Sequence, residues 1–308
     1  MKLFKSITNC YNKLSPFGKV LIFTVLLLIV LTFFKKLFGS NMQEGFIDET
    51  NFLFKEGDAV YDDFYANVYD YLAFNQIKND YEIGIVINST FANETSVIAD
   101  IGCGTGHQVN ELSKQLSNLS IIGIDNSPSM IQKAKENYPS LQFKVGNGLE
   151  DGLFNKKSLT HVLCLYYTIY HMKNKAAFFS NCMEWLMPGG YVIVHLVERN
   201  STANPLINPN GPLYVVTQPG AANAKADLGD FVYNANYKVD RANNVAVVEE
   251  KFKFPNGKIR KQEQKLYMED HSTIVSMAQN VGFLLHAKID MMQCAYENQY
   301  LYVFAKPG

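Results

Sequence analysis

The chain lacks a surplus of either charge: 28 Lys and Arg stand against 29 Asp and Glu in 308 residues, a formal net charge of −1. A binder that neutralises many phosphates carries a basic surplus or stripe. Here the basic residues are scattered among matching acids, which argues against DNA or RNA as partner. Also missing is any CxxC or Cys/His pairing. Cys10, Cys103, Cys164, Cys182 and Cys294 lie far apart, so no zinc site is expected, and the metal assignment is none. Their odd number, and the apolar strand and turn contexts of Cys103 and Cys164, fit small core residues of a reducing compartment better than a disulfide framework. Apolar residues are plentiful at 47 %, enough to bury the core of one large domain, with or without an appendage.

One long hydrophobic run is present. Residues 20–34 carry no charge and are bracketed by Lys19 and by Lys35-Lys36. The run alone falls short of the ~20 residues that a bilayer span needs, but 16–38 reaches that length if the flanking lysines snorkel to the headgroups. A core helix would show a polar face, and this run has none. No small-x-small cleavage site follows around Ser40-Asn41-Met42, and the dibasic pair reads as a stop-transfer flank. The expectation is a tail and uncleaved single-pass membrane anchor over 1–38, a linker over 39–57 and a catalytic body over 58–308. Lys2, Lys5, Lys13 and Lys19 outnumber Lys35 and Lys36, which puts the short N-terminus in the cytoplasm. An adenosine ligand made in the cytosol would put the body there instead. The side of the membrane stays open.

The chemistry begins at Val97-Ile98-Ala99-Asp100-Ile101-Gly102-Cys103-Gly104-Thr105-Gly106, an apolar strand that ends in Asp and runs into three alternating glycines. Glycine tolerates positive φ and has no Cβ, so the chain can turn sharply and a ligand can approach its backbone. One helix-length later, Ile121-Ile122-Gly123-Ile124-Asp125 repeats the apolar run with a terminal acid. A carboxylate at the tip of the second strand grips ribose hydroxyls in doubly wound sheets. An adenosine-containing ligand follows. Strand and helix then alternate: a helix over 108–116, another opened by Pro128, strands over 141–145, 161–166 and 191–196, and a helix over 176–186 before Pro188-Gly189-Gly190. That order predicts a parallel sheet with right-handed crossovers. Upstream, Tyr61, Phe64, Tyr65, Val68, Tyr69 and Leu72 recur at helical spacing. Beyond Arg199, strand-like runs over 231–239, 245–254 and 258–268, split by turn sequences, predict a three-stranded antiparallel flap within about 200–268. A helix over 272–280 and a final hairpin complete the body.

These motifs resemble class I S-adenosylmethionine-dependent methyltransferases over roughly 61–307. The matching residues are Asp100 to Gly106, Gly123-Ile124-Asp125-Asn126-Ser127-Pro128-Ser129-Met130, and Leu186-Met187-Pro188-Gly189-Gly190. The resemblance implies an α/β Rossmann-like sheet, parallel with one antiparallel terminal strand, and S-adenosyl-L-methionine as cofactor. It implies that Asp100, Gly102, Cys103, Gly104 and Gly106 hold the methionine part, that Asp125 holds the ribose, and that Asn126 and Met130 border the adenine. Gly148 and Leu165 belong to the same cofactor wall. Asn147 stands where the family has an acid, and its amide oxygen can still accept from the adenine amino group. Tyr65 and Tyr69 either cover the cofactor or simply pack a helix on the sheet.

Methyl transfer from a sulfonium is an in-line displacement, in which the protein aligns the reactants, excludes water and sometimes supplies a base. Tyr166-Tyr167-Thr168-Ile169-Tyr170-His171 lies at the carboxyl edge of the sheet. There His171 and Tyr167 are the catalytic candidates and Tyr166 and Tyr170 the substrate-binding ones. His171 either takes a proton near neutral pH or packs a helix. The Asn/Asp-Pro-Pro-Tyr/Phe tetrad of nucleic-acid amino-methyltransferases is absent, which argues against base methylation. The flap resembles that of small-molecule N-methyltransferases acting on glycine and related amines, which makes Arg199 a substrate-carboxylate candidate. The anchor and Leu163-Cys164-Leu165-Tyr166 also resemble methyltransferases of large DNA viruses. The expected function is a membrane-tethered methyltransferase acting at N or O of a small-molecule or lipid-proximal acceptor. The alternative is a non-catalytic cofactor-binding or scaffold protein of the same fold. The oligomeric state is not legible.

Overall fold

A computed structural model describes residues 15, 19, 52–198 and 223–308. Apart from residues 15 and 19, the described residues fall within one compact unit, 49–308. The expected anchor over 16–38 lies almost wholly outside the described residues, as does Arg199. Among the described residues no helix is long and apolar enough to cross a membrane. The expected single-pass membrane localisation is corrected on that finding and withdrawn.

Chain order begins with β1 (Phe52–Glu56), a 3-10 turn, α1 (Asp63–Ala73) and α2 (Gln76–Thr90). Then come β2 (Val97–Ile101), α3 (His107–Gln115), β3 (Ser120–Asp125), α4 (Pro128–Asn137), β4 (Gln142–Val145) and β5 (Leu159–Cys164). The single turn α5 (Thr168–His171), α6 (Lys175–Trp185) and β6 (Leu186–Val197) follow. Strands β7 (Asn223–Asp227), β8 (Val232–Asp240), β9 (Val245–Lys253) and β10 (Ile259–Tyr267) come next, before α7 (His271–Asn280), β11 (Leu284–Asp290) and β12 (Gln299–Ala305).

Seven strands form one sheet in the order β11-β12-β6-β5-β2-β3-β4. β2 runs parallel to both β3 and β5, and β12 runs antiparallel between β6 and β11. Because side chains alternate along a strand, Ile98 and Leu163 join the core under α2, α3 and α4, while Ala99, Ile101 and Val162 join the core under α6 and α7. Both faces are covered, as a largely parallel sheet requires. Side-chain caps set where helices begin. The Asp62 carboxylate accepts from Tyr65 N at 3.2 Å, Asn75 from Lys78 N at 3.0 Å, and Ser127 from Met130 N at 3.1 Å ahead of Pro128.

Three expectations need correction. The linker over 39–57 ends in a strand, because β1 pairs in parallel with β10 from Phe52↔Ile259 to Glu56↔Glu263. The flap consequently belongs to a five-stranded sheet, β1-β10-β9-β8-β7. Both added strands sit at its edges. β1 leaves Leu53 and Phe54 exposed, and β7, Asn-Ala-Lys-Ala-Asp, has no β-branched or aromatic residue, so neither carries the pattern of a half-buried strand. The Pro188-Gly189-Gly190 segment is not a turn before β6 but part of it. Its register shifts against β5 between Leu159 and His161, with Gly189 at φ +77°.

Candidate functional site

The carboxyl ends of β2, β3 and β5 open into a cavity of about 530 Å³. Its floor is the glycine turn. Gly102, Gly104 and Gly106 adopt φ of +75°, +53° and +91°, and the Gly102 and Cys103 amides donate to Ile124 O at 2.7 and 3.0 Å. A Cβ on Gly102 would run into the Thr168 side chain, whereas at Gly104 the nearest neighbour would be the Tyr69 ring at 3.7 Å. The backbone at Gly104 is thereby left open to a ligand. Gly106 does not line the cavity. It forms the N-cap of α3, with the Phe143 and Tyr138 rings against the space a Cβ would fill.

Two carboxylates face this floor with different partners. Asp125 accepts from Gly104 N at 3.0 Å and from Ser127 N at 2.8 Å, so the turn itself orients it. Burial raises its pKa, against those two bonds. Asp100 is 2 % exposed, and its Oδ2 has no hydrogen-bond partner among the described residues. Burial, with Glu82 and Asp125 acting in the same direction and Lys78 opposing, pushes its pKa up to about 7. A buried orphan carboxylate oxygen beside a glycine turn calls for a cationic donor.

Lys78, absent from the sequence reading, also lines the cavity. Its Nζ lies 2.8 Å from Glu82 Oε2 and 4.9 Å from the Tyr166 ring centroid. Glu82 in turn lies 3.2 Å from His195 Nδ1, and all three side chains are almost fully buried. Despite burial, Lys78 first and then His195 hold the Glu82 carboxyl down to about 2. The available signal was a Lys-Glu pair four residues apart on the same helical face as buried Ile83 and Val86.

Of the other sequence candidates, Tyr65, Tyr69, Cys103, Asn126, Met130, Asn147, Gly148, Leu165, Tyr166, Tyr167 and His171 all line the cavity. Asn147 Oδ1 already accepts from Leu149 N at 2.9 Å, so only its remaining lone pair is available for an adenine amino group. Tyr166 holds φ +54°, a left-handed conformation costly for a bulky residue and typical of functional sites. Tyr167 is buried, and its hydroxyl has no partner among the described residues. Tyr170 is a correction, since it does not reach the cavity. Its hydroxyl accepts from Val197 N at 2.7 Å and donates to Val197 O at 3.2 Å, which pins α5 to β6.

The roof comes from α1 and the flap. Tyr65 donates to both oxygens of Glu250, at 3.0 and 2.9 Å, and Tyr233 donates to Oε1 at 2.6 Å. Burial raises the pKa of Glu250 against those bonds, and raises those of Tyr61, Tyr65 and Tyr69 well above the ordinary phenol value. His171 is exposed toward the cavity yet hemmed in by protein. Desolvation, helped by Lys175 and opposed by Asp58, lowers its pKa and keeps the imidazole neutral. Glu250, Gln264 and Tyr233 escaped the sequence reading, because strand alternation tells the two faces apart but does not say which one meets a cavity.

Residues 98–190 match the model of the methyltransferase domain family. The chain is 31 % identical over 105 residues to "Putative methyltransferase 235L" of Invertebrate iridescent virus 6, covering 33 % of this chain and 38 % of that one. It thus spans about two fifths of the curated relatives' length. The CcbJ methyltransferase from Streptomyces caelestis superposes with a TM-score of 0.62 at 15 % identity, over 82 % of this chain and 99 % of that one. An amino pentose methyltransferase from Micromonospora echinaspora, solved with S-adenosylmethionine bound, superposes with a TM-score of 0.54 at 14 % identity, over 79 % and 96 %. With the orphan Asp100 oxygen and the open Gly104 backbone suited to a cationic amino-acid ligand, residues 98–190 carry a methyltransferase domain on the fold of the class I S-adenosylmethionine-dependent methyltransferases, and these findings support S-adenosylmethionine as the cofactor.

Proposed function

We propose that the protein transfers a methyl group to a nitrogen or hydroxyl oxygen of a small molecule. The observation that carries this reading is a single cavity joining the cofactor floor at Asp100, Gly104 and Asp125 to a roof of tyrosines with the neutral His171 beside it. Asp100 would take the cofactor's ammonium, Lys78 its carboxylate and Asp125 its ribose hydroxyls. The bound cofactor supplies an activated methyl group on a cationic sulfur. Tyr65 and Tyr69 would exclude water, and His171 would accept the proton that the acceptor atom releases.

Charge narrows the acceptor. Acids lining the cavity, Glu250 and Asp58 among them, outnumber its lysines, and Lys78 is already paired with Glu82. Among the described residues that line the cavity, an anionic acceptor would find only the exposed Lys173 besides. Uncharged or cationic amines and alcohols fit better. The boundaries of the catalytic body are proposed to run from β1, at about residue 52, to 308, because β1 pairs with β10 of the flap sheet.

The test is to incubate the full chain with S-adenosylmethionine and panels of amines, alcohols and carboxylic acids, and to follow S-adenosylhomocysteine. Turnover with amines or alcohols supports the reading. Tight cofactor binding without turnover on any panel would mark a non-catalytic binding protein, and no binding by a folded chain would overturn the cofactor assignments.

A further inference from the structure

A chain of hydrogen bonds runs from the flap to His171, and its polarity can be worked out atom by atom. Glu250 is 4 % exposed. Besides Tyr65 and Tyr233, it accepts from Gln262 Nε2 at 2.7 Å and from Gln264 Nε2 at 3.1 Å. The Gln262 amide cannot be reversed, because Arg260 Nε donates to its Oε1 at 2.7 Å. Donors therefore converge on Glu250 from every side, as an ionised carboxylate requires.

Gln264 follows the same logic. With its nitrogen turned to Glu250 and to the Tyr65 hydroxyl at 3.3 Å, its Oε1 faces Tyr61, whose hydroxyl donates to it at 2.8 Å. Flipping the amide would set its oxygen against the carboxylate, two acceptors with no proton between them. A hydroxyl carries one proton. With that proton on Gln264, Tyr61 can only accept from His171, whose Nε2 lies 3.2 Å away. Nε2 of the neutral ring therefore carries the hydrogen. Nδ1 has no hydrogen-bond partner among the described residues and keeps the bare lone pair.

We propose that Glu250, acting through Gln264 and Tyr61 as positioning residues, holds His171 in its Nε2–H tautomer, so that Nδ1 is the atom that receives the acceptor's proton. The N–H or O–H bond of the acceptor breaks, and its electron pair stays on that atom. The Nδ1 lone pair forms the new N–H bond, and the imidazolium later returns the proton to water. While the ring is charged, its Nε2–H still points along Tyr61 and Gln264 toward the Glu250 carboxylate, which favours the charged form. The role of Nδ1 rests on the functional reading above, whereas the tautomer does not.

The test is long-range proton–nitrogen NMR on the full chain with 15N-labelled histidine, at a pH where the ring is neutral, with His171 assigned by the signals lost in His171→Asn. The wild type should show a single Nε2–H pattern. Gln264→Lys puts a donor where Tyr61 now finds an acceptor, turns the Tyr61 proton toward Nε2 and should switch His171 to Nδ1–H. Tyr61→Phe should give a mixture of the two forms. An unchanged far-UV circular dichroism spectrum and a cooperative thermal melt check that each variant is folded. An Nδ1–H or mixed pattern in the wild type, which needs no variant, would overturn the proposal, as would an Nε2–H pattern unaffected in both folded variants. Failure of turnover on every panel would instead strike the functional reading and leave these spectra as they are.

Discussion

Near neutral pH, Asp100 is only half ionised in the empty protein, because burial, Glu82 and Asp125 push its pKa up to about 7. A cofactor whose ammonium group meets the unpartnered Oδ2 would pull that pKa back down, so binding should expel a proton. Apparent affinity then follows the ionised fraction. About one half is ionised at pH 7 and about one in eleven at pH 6, so S-adenosylmethionine should bind roughly fivefold more weakly at pH 6, about 1 kcal/mol. The comparison stays below about pH 7.5, because a free α-amino group titrates near 8. Titration calorimetry in two buffers of different ionisation enthalpy reads both the affinity and the released proton. Asp100→Asn should bind more weakly and lose the pH dependence. Stability of the empty protein runs the other way. With the folded pKa raised, the contribution of Asp100 is fully present below the ordinary carboxylate range and is lost as pH rises through about 7. The cofactor should therefore raise the melting temperature more at pH 7 than at pH 6. Equal affinities at both pH values with no proton released would refute the assignment of Asp100 to the cofactor's cation.

Three other perturbations separate the parts of the site. Asp125→Ala removes a carboxylate held by the Gly104 and Ser127 amides and should weaken cofactor binding by roughly 1.5–3 kcal/mol, the range for a hydrogen bond to a charged group; unchanged affinity would sink the ribose assignment. Gly102→Ala forces a side chain into φ +75° against Thr168 and should cost roughly 1–3 kcal/mol in urea unfolding, so a neutral effect would mean that the turn can relax. Lys78→Met strips the cation from buried Glu82 and should destabilise by roughly 3–5 kcal/mol, visible as a lowered denaturation midpoint; a loss below 1 kcal/mol would show that His195 alone satisfies Glu82.

The parallel sheet was legible because strand and helix patterns alternate along it and the apolar runs of β2 and β3 close on Asp100 and Asp125. The glycine turn and Asp125 lie next to each other in the sequence's own logic, strand tip after strand tip, and the structure brings both to one cavity. What lies above them was not legible. Lys78 looks like any helical lysine until Glu82 and His195 are seen to surround it, and Glu250 sits in Val-Val-Glu-Glu, where only the register of β9 against β8 and β10 decides which acid turns inward. Tyr170 misled for the opposite reason. It shares a sequence neighbourhood with Tyr166 and Tyr167, but one turn of helix carries it round to Val197.

The roof owes its position to pairing between distant parts of the chain. Asp62 caps α1 through Tyr65 N, and both oxygens of the same carboxylate accept from Arg260 NH1, at 2.9 and 2.8 Å, while Arg260 NH2 donates to Val60 O at 2.9 Å. A residue of β10 therefore fixes the start of the helix that carries Tyr65 and Tyr69. The parallel pairing of β1 with β10 binds the preceding segment to the same strand. Both groups of roof residues, the α1 tyrosines and the flap residues Glu250 and Gln264, are thus tied to one five-stranded sheet, while Thr105 donating to Asp70 and Lys133 to Asn67 fasten α1 to the layer beneath as well. The side chains that would cover the cofactor and those that would orient the base share one support. Because the three nitrogens of one planar guanidinium are held at three places, NH1 on the Asp62 carboxylate, NH2 on Val60 O and Nε on Gln262, the joint resists rotation as well as separation, and that rigidity lets a hydrogen-bond chain from Glu250 to His171 keep one polarity.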